Sequence, residues 1–352
     1  MHKHTILITG SSGFIGTNLI LHFLKQNCAV IALDIQAPRH THPGYRHTDH
    51  PDSKESDYDL MEIRGDVRDP LILQKIFRHP IDYVIHLAAL STLQLGAEDY
   101  NRTMSVNTEG TETLLRVAAD YGKLKGFLYA STDKVYGILH GQAYRETDPL
   151  SPIDSPYDSS KARADQMVRE WFIKYGVPSI VFRFCNIYGP YDLQTTRIIP
   201  GTIRAILEGK NCILRKYRDS NGNIHNFQRD FLYIDDLCQT LWHVIEQLDL
   251  QGPQFPAWGE AFNLGARRCY AMDEIIQSIQ TLLGDSRPVE ITFSESLAEI
   301  PAQRMDYSKA ANTFGFVPKT TLEDGLAKTA AWWQQRLKNP AGQRNQNMEE
   351  IL

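Results

Sequence analysis

The most chemically suggestive stretch of the chain is Tyr157-Asp158-Ser159-Ser160-Lys161, which sets a phenol and an ammonium four residues apart. On a helix that spacing puts both side chains on one face, one turn apart. A phenol titrates near 10, so work as a base at neutral pH requires a fall of about 3 pH units, or about 4 kcal/mol. A neighbouring cation acts in that direction. A second stretch, Gly10-Ser11-Ser12-Gly13-Phe14-Ile15-Gly16, lies between the apolar run from Thr5 to Thr9 and a helical pattern from Thr17 to Gln26. Glycines there let a pyrophosphate approach the backbone where a Cβ would collide, and the helix start offers unpaired N–H groups to its charge.

The elements that must position these residues read as strands alternating with helices. A second apolar run, Cys28 to Leu33, ends in Asp34, where a dinucleotide fold places an acid against the adenosine ribose hydroxyls. A carboxylate there repels the extra phosphate of NADP and favours NAD. After a polar loop from 36 to 59, strand-like runs at Met61–Asp66, Tyr83–Ala89, Gly126–Ser131 and Ser179–Phe184 alternate with helical patterns near 70–78, 99–121 and 157–175. This predicts an α/β fold, a Rossmann-type doubly wound parallel sheet binding ligands at the carboxyl ends of its strands. Polar residues collect at those ends: Asp66, Ser131-Thr132-Asp133-Lys134 and Asn186, with Ala88-Ala89-Leu90 after the fourth strand. Residues 1–186 read as the NAD-binding domain, with 230–264 packing back on it. Residues 187–229 and 265–338 read as a smaller mixed α/β substrate-binding domain, and 339–352 as a flexible tail.

Composition narrows the class. A formal charge of −5 offers no general field for nucleic acid. No apolar stretch reaches the ~18 residues of a membrane span, and no signal-peptide pattern precedes the glycine loop, so a cytoplasmic protein is expected. Cys28, Cys185, Cys212, Cys238 and Cys269 are scattered and odd in number, which reads as reduced thiols. His40, His42, His47 and His50 lie in a segment without apolar period and read as a solvated loop, with no metal site. From Arg197 to Arg229 seven Lys or Arg stand against Glu208 and Asp219, a local +5 that would attract a dianionic diphosphate.

Further stretches join these: His86-Leu87-Ala88-Ala89, Ser131 to Gly137, Arg183-Phe184-Cys185-Asn186-Ile187-Tyr188-Gly189-Pro190, and Arg229-Asp230-Phe231-Leu232-Tyr233-Ile234-Asp235-Asp236. Together they resemble the short-chain dehydrogenase/reductase superfamily, and within it the extended branch of nucleotide-sugar epimerases and dehydratases. The resemblance implies that Gly10, Ser12, Gly13, Phe14, Ile15, Gly16, Asp34, Asp66, Val67, Leu87, Ala88 and Ala89 hold NAD. Thr132, beside Ser131, would hydrogen-bond the reacting sugar hydroxyl and Tyr157 would remove its proton. Lys161 would hold the nicotinamide ribose and lower the tyrosine pKa. Asn186 and Arg229 would contact the nucleotide diphosphate, with Arg197 on the same basic run.

The implied reaction begins with hydride leaving a sugar carbon for NAD. The resulting ketone acidifies the neighbouring C–H, a second event follows, and the hydride returns. In sugar 4,6-dehydratases an acid at Asp133 protonates the departing C6 hydroxyl while the next residue takes the C5 proton. Asp133-Lys134 resembles the CDP-glucose and UDP-N-acetylglucosamine dehydratases; the dTDP-glucose enzymes carry Asp-Glu, and related C2-epimerases carry Asn-Lys. Both residues reach one site only if the strand ends by about Thr132, because successive strand side chains point to opposite faces. The favoured expectation is therefore 4,6-dehydration, with C4 or C2 epimerisation as the alternative. A non-catalytic NAD-binding regulator would commonly lack the Tyr157/Lys161 pair, and Asp34 disfavours an NADPH-dependent carbonyl reductase. Relatives dimerise through the helices matching 99–121 and 157–175, which implies a homodimer.

Overall fold

The structure, a computed structural model, describes residues 2–36, 46–48, 58–91, 99–294 and 299–338. Short aliphatic and β-branched runs bounded by turn residues form its strands. Eight of them make one sheet: β1 (Thr5–Thr9), β2 (Ala29–Asp34), β3 (His47–Thr48), β4 (Leu60–Arg64), β5 (Tyr83–His86), β6 (Gly126–Thr132), β7 (Ser179–Phe184) and β12 (Ala261–Leu264). Their order is β12-β7-β6-β5-β1-β2-β4-β3, and every pairing is parallel.

Strand alternation divides the core between the two faces of this sheet. Ile6 and Ile8 join Leu19, Ile20 and Phe23 of the Phe14–Lys25 helix on one side. Leu7 joins Leu114, Leu115, Ala164 and Val168 on the other. The chain runs outward from β1 through β2, then returns to place β5 on the opposite side of β1. Such a reversal opens a crevice at the carboxyl ends of the two strands. The glycine loop after β1 and Leu87–Ala89 after β5 form its walls.

The helical pattern over 99–121 is divided in the structure. Tyr100–Met104 and Gly110–Tyr121 are α-helical, and Ser105–Glu109 between them is a π-helical turn. Helix Pro156–Tyr175 starts with Ser155 as cap and Pro156 in its first turn, and stops at Gly176, whose φ of +69° suits glycine. Six further strands were mostly illegible in sequence. β8 (Asn186–Tyr188), β11 (Gln228–Tyr233) and β13 (Cys269–Ala271) form one small sheet. β9 (Cys212–Arg218), β10 (Ile224–Asn226) and β14 (Val289–Phe293) form another, with Asp219 to Gly222 turning β9 into β10. Within 230–264, most of β11 belongs to a small sheet, whereas helix Ile234–Gln251 contributes Leu237, Leu241 and Ile245 to the core beside the Phe14–Lys25 helix, and β12 completes the large sheet. Part of the polar loop 36–59 is the two-residue edge strand β3. His40, His42, His50 and the tail 339–352 lie outside the described residues. Among the described residues, no helix is long and apolar enough to cross a membrane.

Candidate active site

The crevice between β1 and β5 is shaped by missing side chains. Gly10 has φ +71°, and a Cβ on it would lie 2.7 Å from the Ala88 nitrogen. A Cβ on Gly16 would lie 2.5 Å from the Gly10 oxygen. Gly13 caps the following helix without a side chain, and no acid occupies the first turn, so the backbone N–H groups face the crevice uncompensated. The cradle therefore fits a dinucleotide diphosphate. Asp34 braces it: its oxygens accept from the Ser12 and Gln36 N–H groups, each at 2.9 Å. Phe14, Ile15 and Leu87 pack partly buried against the core, and the Ala88 N–H donates to the Thr9 hydroxyl at 3.3 Å. His86 ties the crevice together, with Nδ1 2.6 Å from Thr9 Oγ1 and Nε2 2.9 Å from Thr111 Oγ1. Burial draws this imidazole down to about 3, so it is neutral. Val67 is buried beneath Gly110. Asp66 accepts from the Arg68 backbone N–H and guanidinium, a bond that holds its carboxyl below the usual range.

The opposite wall carries the expected chemistry. β6 ends at Thr132, and Asp133–Tyr136 is a 3-10 turn whose Lys134 N–H donates to the Thr132 hydroxyl at 3.3 Å. The strand thus stops where Asp133 and Lys134 need it to stop. Asp133 is 4% exposed; one oxygen accepts from the Thr132 hydroxyl at 3.0 Å and the other is buried without a partner. Burial pushes its pKa up against the opposing pull of Lys134, Thr132 and Arg229.

Tyr157 differs from the sequence expectation in its electrostatics. Burial first, then the Asp158 charge, raise the phenol above its ordinary range, while Arg197 and a hydrogen bond with Thr132 oppose them. Lys161 is itself drawn down to about 7, because it is buried. Its ammonium donates to the Ala130 carbonyl and lies 4.3 Å from the Tyr129 ring centre. Burial weakens the lysine as a source of positive charge near neutrality.

Behind this wall, Ser131 turns away from Thr132 and donates to Asp165 at 2.7 Å. Asp165 also takes two bonds from Arg183, both 2.9 Å, and Arg183 donates to the Tyr136 hydroxyl at 2.7 Å. The Tyr136 hydroxyl in turn donates to Asn263 at 2.7 Å, so one buried network joins β6, the Pro156–Tyr175 helix, β7 and β12. Asp165 was readable, lying at helical spacing from Tyr157 and Lys161. Asn107 was not: from the π-helical turn it accepts from Leu90 N and donates to Ser160 Oγ, fixing the segment after β5 against the Pro156–Tyr175 helix. Asp158 was passed over, yet both its oxygens are buried without partners and burial pushes it up to about 6.

On the small-sheet side, Asn186 has a buried amide nitrogen without a partner. Arg229 donates to the Gln228 and Pro301 carbonyls and acts on Asp133. Arg197 pairs with Asp192 at 3.2 Å and acts on Tyr157. The middle of the basic run goes elsewhere: Arg204 and Lys210 pair with Glu208, and Arg215, Lys216 and Arg218 lie along β9.

The sequence profile described as the NAD dependent epimerase/dehydratase family matches residues 6–265. The chain belongs to that family. A dTDP-glucose 4,6-dehydratase from Xanthomonas campestris pv. campestris is 31% identical over 348 residues, covering 94% of this chain and 93% of that one. DesIV, a dTDP-glucose 4,6-dehydratase from Streptomyces venezuelae solved with NAD bound, aligns with a TM-score of 0.79 at 26% identity, covering 95% and 98% of the two chains. A UDP-glucose 4-epimerase from Thermotoga maritima shares the fold at a TM-score of 0.79 and 23% identity, covering 95% and 99%. The Rossmann-type sheet is thus the family's fold, and the family's members are NAD-dependent enzymes.

Proposed function

We propose that this protein is an NAD-dependent nucleotide-sugar 4,6-dehydratase that converts a hexose into its 4-keto-6-deoxy form. NAD, when bound, supplies the hydride acceptor and donor together with a cationic ring. Gly10, Gly13 and Gly16 would cradle its diphosphate and Asp34 its adenosine ribose, with Ser12, Asp66, Val67, Ala88 and Ala89 lining the crevice. Tyr157 takes the proton of the reacting hydroxyl, which Thr132 orients. Lys161 anchors the nicotinamide ribose. Asp133 gives a proton to the departing C6 hydroxyl, and Lys134, the next residue on the turn, stands on the C5 side. Asn186, Arg197 and Arg229 hold the diphosphate, and residues 187–229 and 265–338 form the sugar-nucleotide side of the cleft.

The observation that carries this reading is the Asp133 carboxyl, buried at the end of β6, with its pKa pushed up and one oxygen unpartnered. Burial favours the neutral acid, the form that elimination of water needs. A C4 epimerase, the function of the Thermotoga enzyme with the same fold, has no use for such an acid. Lys134 stands where the dTDP-glucose enzymes carry Glu, which supports a CDP- or UDP-linked sugar. Incubating the protein with CDP-, UDP-, GDP- and dTDP-hexoses without added cofactor tests the assignment. Loss of one water by mass spectrometry supports it, and an isomer of unchanged mass overturns it.

We also propose a cytoplasmic homodimer. The Pro156–Tyr175 helix leaves Ile173 79% and Tyr175 61% exposed near its C-terminal end, apolar side chains that a second copy would cover. The free thiols of all five cysteines suit a reducing compartment. Elution at monomer mass by light scattering overturns the dimer.

A further inference from the structure

The 3-10 turn that carries Asp133 and Lys134 spans only four residues, Asp133–Tyr136. Hydrogen bonds of a 3-10 turn have poor geometry, so one this short takes its position from what surrounds it. Its last residue, Tyr136, ties it down. The Tyr136 side chain is buried, and its hydroxyl accepts from Arg183 on β7 and donates to Asn263 on β12, both at 2.7 Å. Arg183 is held in turn by its two bonds to Asp165, and Asn263 donates to the Tyr144 and Asp306 carbonyls at 3.0 and 3.2 Å. The Tyr136 ring stacks on Tyr144, with centres 4.9 Å apart and planes 10° from parallel. Tyr144 grips the far end of the turn: its hydroxyl donates to the Gly137 carbonyl at 2.6 Å, and its backbone bonds Arg304 and Asp306. Thr132 and Tyr157 are held by other means. Thr132 is paired with Phe184 in the large sheet, and Tyr157 belongs to the Pro156–Tyr175 helix.

We propose that Tyr136 is a positioning residue for the loss of water: its hydroxyl sets the turn so that Asp133 faces C6 of the sugar, while the oxidation that Thr132 and Tyr157 begin does not depend on it. The inference rests on the dehydratase reading and deepens it. The proton of the Tyr136 hydroxyl is committed to Asn263, so it has none to give a substrate and acts only through the turn. One reaction is thereby served by two separately anchored groups, the first fixed by sheet and helix and the second by a buried phenol.

Tyr136→Phe keeps the ring and its stack on Tyr144 and removes only the hydroxyl. In single turnovers of the holoenzyme with the hexose that wild type dehydrates, hydride should reach NAD within about twofold of the wild-type rate, whereas loss of water should slow about tenfold to a hundredfold, the scale of a small misplacement. The near-ultraviolet absorbance of reduced nicotinamide should therefore build up in the variant and not in wild type. Tyr144→Phe, which frees the Gly137 carbonyl and leaves the Arg183 and Asn263 bonds in place, approaches the turn from its other end and should give the same split. Both steps slowing together in variants with full NAD content, or neither slowing, overturns the proposal. Hydrogen exchange read by mass spectrometry needs no turnover: the 133–137 amides should exchange faster in Tyr136→Phe than in wild type, with those of the Pro156–Tyr175 helix unchanged, and equal exchange in the turn overturns the proposal. Failure of every hexose to lose water would sink the dehydratase reading, while the exchange result still decides whether the hydroxyl holds the turn.

Discussion

Replacing Lys161 by Met should stabilise the protein at acid pH and destabilise it at alkaline pH. Lys161 falls from an ordinary 10.5 to about 7 because the residue is buried, 3% exposed. The unfolded chain therefore binds more protons than the native one between pH 7 and 10.5, and native stability rises with pH across that window. Below pH 7 the full penalty applies: 3.5 pH units at 1.36 kcal/mol each is about 5 kcal/mol. Methionine keeps the apolar stem and removes the charge, but leaves the Ala130 carbonyl without its donor, at about 1–3 kcal/mol. The net gain at pH 6 is about 2–4 kcal/mol. With an unfolding entropy of about 2.1 cal/mol/K per residue over 352 residues, or about 0.74 kcal/mol/K, Tm should rise by about 3–5 °C. Toward pH 10 the penalty vanishes, only the lost hydrogen bond remains, and the variant should melt about 1–4 °C below wild type. Differential scanning calorimetry from pH 6 to 10 measures both. A Tm difference of constant sign and size across that range would refute the reasoning.

Asp165→Asn leaves the 1%-exposed Arg183 guanidinium without a counter-charge, which should cost about 3–5 kcal/mol, or about 4–7 °C in Tm; calorimetry within 1 °C of wild type would count against the network. Gly16→Ala forces a Cβ to 2.5 Å from the Gly10 carbonyl and should lower NAD affinity at least tenfold by titration calorimetry, with far-UV circular dichroism unchanged. Asp34→Ala removes the charge beside the ribose position and should narrow the preference for NAD over NADP, measured as the ratio of their dissociation constants.

What was legible in the sequence was what short-range pattern controls. The β1–glycine–helix unit, the Tyr157/Lys161 spacing and the end of β6 follow from runs of apolar residues and the glycines or polar residues that stop them. The small sheets escaped because β8 and β13 are three residues long, and β9 interleaves buried Cys212 and Leu214 with exposed Ile213 and Arg215. Burial of single polar groups escaped too. Asn107, Asp158 and Asp230 look like surface residues until elements far away in sequence close over them. The same cause raises the Tyr157 phenol and lowers the Lys161 ammonium, since spacing alone gives no information on how dry the pair is.

A hexose substrate deuterated at C4 tests the central claim most directly. If Tyr157 starts an oxidation whose hydride is kept in the crevice and returned after water has left, mass spectrometry and NMR should find the deuterium at C6 of a product one water lighter. Deuterium lost to solvent, or still at C4 in a product of unchanged mass, would contradict it.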